Sequence, residues 1–262
     1  MKRVSLQWLT TPALLAAFVL VWHLYVTLFN ISKFIIPPPL LVAESFVDLL
    51  TSPNTLKHTW ITLYETIVGF LLACVIGVGL GAMLGKTPWL ERALNPFIVA
   101  TQVVPKVALV PLFILWFGFG PESKIVVATV LAFFPILTNT VLGIKSVDLG
   151  HKDVMIVLNA GRWETFLSLE LPSALPAVLA GMEVGIVLAI IGAVVGEYLG
   201  GSTGLGYLAV ASLNDYKTGM LFAVIILLTM IGFALYVLIG GLKRLAIPWH
   251  ESVLIERQTV AG

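Results

Sequence analysis

The chain has 262 residues, 59% of them hydrophobic and only 11% charged, with a formal net charge of +1. Roughly a quarter of an ordinary soluble domain is charged, so this composition excludes that class and makes the bilayer the natural solvent. The near-zero net charge lacks the basic stripe of a nucleic-acid binder, and a single cysteine, Cys74, excludes a disulfide framework.

A helix needs roughly 20 apolar residues to cross the hydrocarbon. By that criterion the chain reads as an all-α membrane protein with six transmembrane helices, at about 11–29, 61–85, 97–118, 125–144, 174–199 and 219–242. They form a single transmembrane domain over residues 1–262. Lys2 and Arg3 precede the first run as in a signal peptide, but the run is long for one and no small-x-small cleavage site follows. An uncleaved first span is the expectation. Ile36 to Leu40 (IPPPL) opens the long segment before the second span, where prolines favour extended or turn structure.

In the second span Gly69, Ala73, Gly77, Gly81 and Gly85 recur every four residues and form one stripe with little side-chain bulk. The fifth repeats the device with Gly181 and Gly185, then Gly192, Gly196 and Gly200. Such stripes let a neighbouring helix approach closely, within the chain or across a dimer. Polar groups interrupt the runs at Glu65, Lys106, Asn139, Glu183 and Glu197. Intramembrane charges face a cavity, a partner or the headgroups. Glu65 and Glu197 fall near span ends, where headgroup contact is the simple reading. Lys106 and Glu183 are deeper, and either pair with each other or line a solute path with Asn139 and Glu197. Pro105 and Pro111 should disturb the helix around Lys106 and free carbonyls there.

With the N-terminus inside, the inner segments carry ten Lys and Arg: Lys2, Arg3, Lys86, Arg92, Lys145, Lys152, Arg162, Lys243, Arg244 and Arg257. The outer segments carry four: Lys33, Lys57, Lys124 and Lys217. This positive-inside bias puts both termini and the 145–173 loop in the cytoplasm.

That loop is the least hydrophobic interior stretch, with Lys145, Asp148, His151, Lys152, Asp153, Arg162, Glu164 and Glu170 between apolar runs. From Asp153, the residues Val154, Val157, Leu158 and Gly161 follow the spacing of a one-sided helix. Gly161 permits a turn, Trp163, Phe166 and Leu167 supply a second apolar face, and Pro172 ends it. Two short helices joined at a glycine would offer anchors to a groove on a soluble partner, or rest on the headgroups.

Signals for catalytic or nucleotide chemistry are nearly absent. Gly81 to Thr87 (GAMLGKT) is one residue short of G-x-x-x-x-G-K-S/T and closes a span instead of joining strand to helix. Gly200 to Gly206 (GGSTGLG) reads as a flexible external turn. No HExxH or CxxC pattern appears, and His23, His58, His151 and His250 are scattered. The sequence predicts no enzyme and no metal site.

The loop resembles the cytoplasmic E-A-A-x3-G-x9-I-x-L-P segment of permease subunits from binding-protein-dependent ABC importers. Asp153, Val154 and Met155 stand at E-A-A, Asn159 at the glycine, and Leu169, Glu170, Leu171 and Pro172 at I-x-L-P. Gly161 matches a second small residue of that loop, and Pro176 with Gly181 continues its usual pattern. Pro105 to Gly118 (PKVALVPLFILWFG), Gly196 to Leu208 (GEYLGGSTGLGYL) and Pro248 with Trp249 resemble the nitrate/sulfonate/taurine branch. Departures are Asp153, Val154, Met155 and Asn159 in the loop, and Glu65 and Glu183 where many members of the branch carry arginine. The latter pair suits a neutral or cationic solute, such as a pyrimidine or flavin-type vitamin precursor, better than a small anion.

The resemblance implies a type I importer permease fold with a cytoplasmic coupling helix, in a bacterial inner membrane. It implies ATPase coupling through Asp153, Val157, Leu158, Asn159, Gly161, Arg162, Trp163, Phe166, Leu169, Leu171 and Pro172. It also implies a second permease subunit in a homodimer, a cytoplasmic ABC ATPase dimer that binds ATP and Mg, and an external solute-binding protein. This chain would then hold no cofactor. Rival expectations are a self-sufficient secondary transporter or channel using Lys106 and Glu183, and a membrane scaffold that moves no solute.

Overall fold

The computed structural model describes residues 4–248, and among these every regular element is helical. Lys2, Arg3, Trp249, His250, Arg257 and the rest of the C-terminal tail lie outside the described residues. The helices are α1 (Val4–Leu28), α2 (Pro39–Thr51), α3 (Pro53–Lys86), α4 (Pro88–Val103), α5 (Val110–Phe117) and α6 (Pro121–Lys145). There follow α7 (Leu149–Val157), α8 (Arg162–Thr165), α9 (Leu171–Gly200), α10 (Leu205–Asn214) and α11 (Thr218–Ala246).

Proline starts α2, α3, α4 and α6, at the position where a missing N–H costs nothing and its fixed φ suits the helix. This is why the IPPPL run differs from its sequence reading. Pro39 is the first residue of α2, so the proline run ends in a helix, and Ser52 alone links α2 to α3.

Helix α6 is the spine of the bundle, with α3 on one side and α9 on the other. On the α3 side, an added Cβ at Gly77 would meet Ile136 at 3.0 Å, at Gly81 Thr140 at 2.6 Å, and at Gly85 Ile144 at 2.8 Å. Gly69 lies against Ala128, and its carbonyl accepts a 3.2 Å hydrogen bond from Thr129 Oγ1. On the α9 side, Gly181 abuts Asn139, Gly185 abuts Ile136, Gly192 abuts the Ala128 backbone and Gly196 abuts Lys124. Apart from Gly200, which abuts Ile114 of α5, both stripes thus close on the same helix of the same chain. Ala128, Ala132 and Ile136 are fully buried between them, with Ala73, Ala189 and Ala193 facing in. Small residues on all three helices bring the backbones together, and dispersion between close-packed atoms supplies the attraction in an apolar solvent.

Around this core, α5 presses Val110 and Ile114 onto Val127 and Leu131 of α6. Helices α2, α10 and α11 form a second cluster through Leu49, Leu205, Ala209, Ala223 and Val224. Trp22 of α1 stacks on Phe222 of α11 at 6.0 Å, while Leu14, Leu15, Phe18 and Leu28 are exposed, as on a lipid-facing helix.

Among the described residues, four helical stretches are long and apolar enough to cross a membrane: Pro53–Lys86, Pro121–Lys145, Arg162–Gly200 and Thr218–Ala246. A fifth crossing exists if the pair Pro88–Val103 and Lys106–Phe117 counts as one, but that pair is bent by 82°. The straight span expected at 97–118 is therefore broken. Pro105 has no N–H and holds Val104 extended (ψ 127°), and the chain restarts as a short 3₁₀ turn at Lys106–Leu109.

Candidate functional site

The segment between α6 and α9 is built from local rules. The Asp148 side chain caps α7 by accepting from the Gly150 N–H at 2.6 Å, so the helix begins four residues ahead of Asp153, where the sequence reading began it. It ends at Val157, and Asn159 takes the left-handed conformation (φ +54°) that reverses the chain. Asparagine is the residue that best tolerates this conformation after glycine, which accounts for its place at the glycine of the resembled motif. Gly161 is consequently not the turn. Its φ is −67°, it caps α8, and its N–H donates to the Glu164 carboxylate at 3.4 Å.

Pro172 does not end the helix either. It cannot donate to the Ser168 carbonyl, and the backbone widens into a π turn over Phe166–Glu170, with the Leu171 N–H on the Phe166 carbonyl. The helix then runs on through α9. Phe166 turns inward beside Ile144, Ala174 and Val178, and Leu169, Leu171 and Pro172 are half-buried. Asp153, Val157, Leu158, Asn159, Gly161, Arg162 and Trp163 are exposed, Val157 at 80% and Trp163 at 76%. The segment therefore has a rooted second half and an apolar face open to solution. Lys86, at the end of α3, ties the root down by an ion pair to Glu170 (2.9 Å) and by lying 4.3 Å from the Phe166 ring. Lys145 and Glu91 join α6 to α4 at the same end (2.9 Å).

The intramembrane charges are arranged differently from expectation. Lys106 and Glu183 do not pair. Glu183 meets Lys243 of α11 at 3.1 Å, whereas Lys106 lies 4.7 Å over the Phe134 ring and donates to the Gln102 carbonyl at 3.4 Å. The Pro105 carbonyl is taken by the Ala108 N–H (2.8 Å), and Asn139 Nδ2 donates to the Pro135 carbonyl at 2.8 Å.

Glu65 and Glu197, near span ends in the sequence, are buried inside protein at 3% and 1% exposure. They meet at the end of the bundle opposite α7 and α8. Glu197 accepts from the Thr62 hydroxyl (2.6 Å) and the Gly206 N–H (2.6 Å). Thr62 in turn accepts from the Leu205 N–H (2.8 Å), and His58 Nδ1 accepts from the Gly204 N–H (3.0 Å). The GGSTGLG turn is thus pinned rather than loose. Gly204 has φ +102° and lies directly against the Glu197 carboxylate, so no side chain fits. Buried Lys124 donates all three of its protons, to the carbonyls of Phe119 (2.7 Å), Gly120 (3.0 Å) and Gly200 (2.9 Å).

Sequence reasoning missed Thr62 and counted Lys124 only as an outer charge. A signal was present. Thr62, Glu65, Thr66, Gly69, Ala73 and Gly77 follow one helical face, and all are buried. Replacing Glu197 by alanine strands the buried Gly206 N–H and leaves the Thr62 hydroxyl only its longer bond to the His58 carbonyl (3.2 Å), and the expected loss is about 2 kcal/mol. The melting temperature of the purified chain in detergent measures it, with Glu197→Gln, which keeps an acceptor, falling between. An alanine variant melting with the wild type would refute the pinning role.

Residues 73–249 match the family described as binding-protein-dependent transport system inner membrane component. The riboflavin transport system permease protein RibX of Chloroflexus aurantiacus is 39% identical, over 96% of this chain and 94% of that protein. The formylaminopyrimidine transport permease protein ThiX of Halalkalibacterium halodurans is 32% identical, over 96% and 100%. The taurine transport system permease protein TauC of Escherichia coli is 28% identical, over 91% and 89%. Among solved structures, an inward-facing MetNI methionine ABC transporter shares the fold at a TM-score of 0.65 and 20% identity, covering 73% of this chain and 95% of that one. The chain belongs to the inner membrane components of binding-protein-dependent transport systems, and it is a permease subunit of an ABC importer for a small solute, a translocation component and not an enzyme.

Proposed function

We propose that the chain is one half of a homodimeric type I permease whose α7–α8 segment is the coupling element seated on a cytoplasmic ABC ATPase. In this reading α1 and the bent α4–α5 pair complete six crossings, and both termini face the cytoplasm, as the ten-to-four Lys and Arg distribution supports. ATP and Mg are held by the ATPase, and an external binding protein delivers the solute. The observation that carries the proposal is the exposed apolar face of Val154, Ile156, Val157, Leu158 and Trp163, before and at the very start of the Arg162–Gly200 stretch and rooted through Lys86 and Glu170. Such a face needs a partner groove. Partner closure acts on the spans only as differential affinity for two bundle states, and the Lys86–Glu170 tie is a direct route from the segment to α3.

A neutral or cationic nitrogen heterocycle is the solute class we favour. Glu65 supports it, as do the names of the riboflavin and formylaminopyrimidine relatives. Glu183 no longer does, because Lys243 neutralises it. Lys106, Asn139 and Glu197 as pathway residues have little support, since each is engaged with its own chain.

Proteoliposomes carrying the permease, its ATPase and its binding protein test the assembly. Uptake should require all three and ATP. Uptake by the permease alone under an ion gradient would establish the secondary-transporter alternative instead.

A further inference from the structure

One cavity belongs to neither the coupling segment nor the packing core. It lies at the opposite end of the bundle, holds about 400 Å³, and is walled by Trp60, Tyr64, Phe119, Glu65, Ser202 and Thr203. That size falls within the range of small-molecule sites. Glu65 is only 3% exposed; its carboxyl shares a hydrogen bond with that of Glu197, while no N–H or hydroxyl reaches its Oε2 among the described residues. A buried carboxylate oxygen without a partner is costly and calls for a donor.

The ionisable groups around the site are mostly acidic. Glu65, Glu197 and Glu122 act on the site against Lys124 alone. Lys124 also lines the cavity, but its three protons are spent on the carbonyls of Phe119, Gly120 and Gly200. It neutralises part of the charge without offering a donor to an anion. Trp60 and Phe119 are exposed at 69% and 75%, leaving ring faces for stacking or for a cation.

We propose that this cavity is a solute-binding subsite for a planar heteroaromatic bearing amino or ring N–H donors, its donors on Glu65 and its ring against Trp60, Tyr64 or Phe119. The chemistry excludes carboxylates, sulfonates and nitrate. The proposal rests on the reading of the chain as a permease for such a solute, but it is tested by binding, which needs neither ATP nor transport. The ammonium of a lipid headgroup would satisfy the same groups.

The test is equilibrium dialysis of radiolabelled 4-aminopyridine, protonated at neutral pH, against the permease–ATPase complex without binding protein, in phosphatidylglycerol nanodiscs. Saturable binding is expected, with benzoate failing to compete and Glu65→Gln raising the half-saturating concentration about tenfold. Ser202→Phe, at the exposed turn, should block the cavity and abolish binding, which keeps the proposal testable where Glu65→Gln does not fold. Absence of saturable binding, or equal binding by both variants and the wild type, overturns it. Binding that disappears in phosphatidylethanolamine nanodiscs assigns the site to a lipid headgroup and overturns it as well. Intact binding with failed ATP-driven uptake of heterocycles would instead count against the solute class and leave the cavity standing.

Discussion

Replacing Gly192 with leucine is expected to prevent the bundle from closing. A Cβ at this position would lie 2.8 Å from Ala128 Cα, 3.0 Å from Ala128 N and 3.1 Å from the Val127 carbonyl oxygen. All three are backbone atoms of α6, so no rotamer change relieves the contact. Helices α6 and α9 must separate, and Ala128, buried completely between α3 and α9, loses contacts on both sides. Overpacking costs roughly 1–3 kcal/mol in soluble cores, and a leucine against backbone belongs at the upper end of that range or beyond. Gly79→Leu is the matched control. Nothing lies within 4 Å of its added Cβ, and it should melt with the wild type. Melting temperature and the monodisperse fraction in detergent decide the matter. Equal values for Gly192→Leu and Gly79→Leu would mean that α6 and α9 are not in close contact.

The second large effect concerns coupling and leaves the fold alone. Gly161 has no atom within 4 Å of an added Cβ and an ordinary φ of −67°, so glutamate is accommodated there. It would stand between the α7 face and Trp163, where a partner groove must be apolar. Losing a central anchor of an interface costs about 2 kcal/mol or more, a factor of roughly 30 in affinity. Gly161→Glu should therefore insert and melt as the wild type does while ATPase co-purification and ATP-driven uptake fall by at least about that factor. Asn159 gives the opposite pattern. Asn159→Gly should preserve both properties, and Asn159→Val should lose stability by about 1–2 kcal/mol, because a β-branched residue is strained at φ +54°. Undiminished uptake and co-purification in Gly161→Glu would sink the coupling assignment.

The contrast between Gly161 and Asn159 shows where sequence reasoning stopped short. Spacing locates the segment and its apolar face, but it points to glycine, the most permissive residue, as the turn. The capping bonds of Asp148 and Glu164 set the two short helices, and only the residue left between them has to reverse the chain. Pro172 is similar. Its missing N–H was legible, but whether the chain stops or widens by one residue depends on Phe166 packing against Ile144 and Val178.

The sequence by itself determined that the chain is helical and spans a membrane, because long apolar runs have no other stable solvent and lipid satisfies no backbone group. It also determined the period-four glycine faces and the charged, one-sided segment between the spans. The tertiary structure decided which faces meet. Save for Gly200, both stripes close on α6, Glu183 pairs with Lys243 instead of Lys106, and Glu197 reaches Thr62 across 135 residues of chain. Periodicity encodes a helix face through bonds four residues apart, but it carries no information on partners so distant. Pairing follows from backbone approach and from the need of each buried polar group for a partner, and both are settled only when the helices pack.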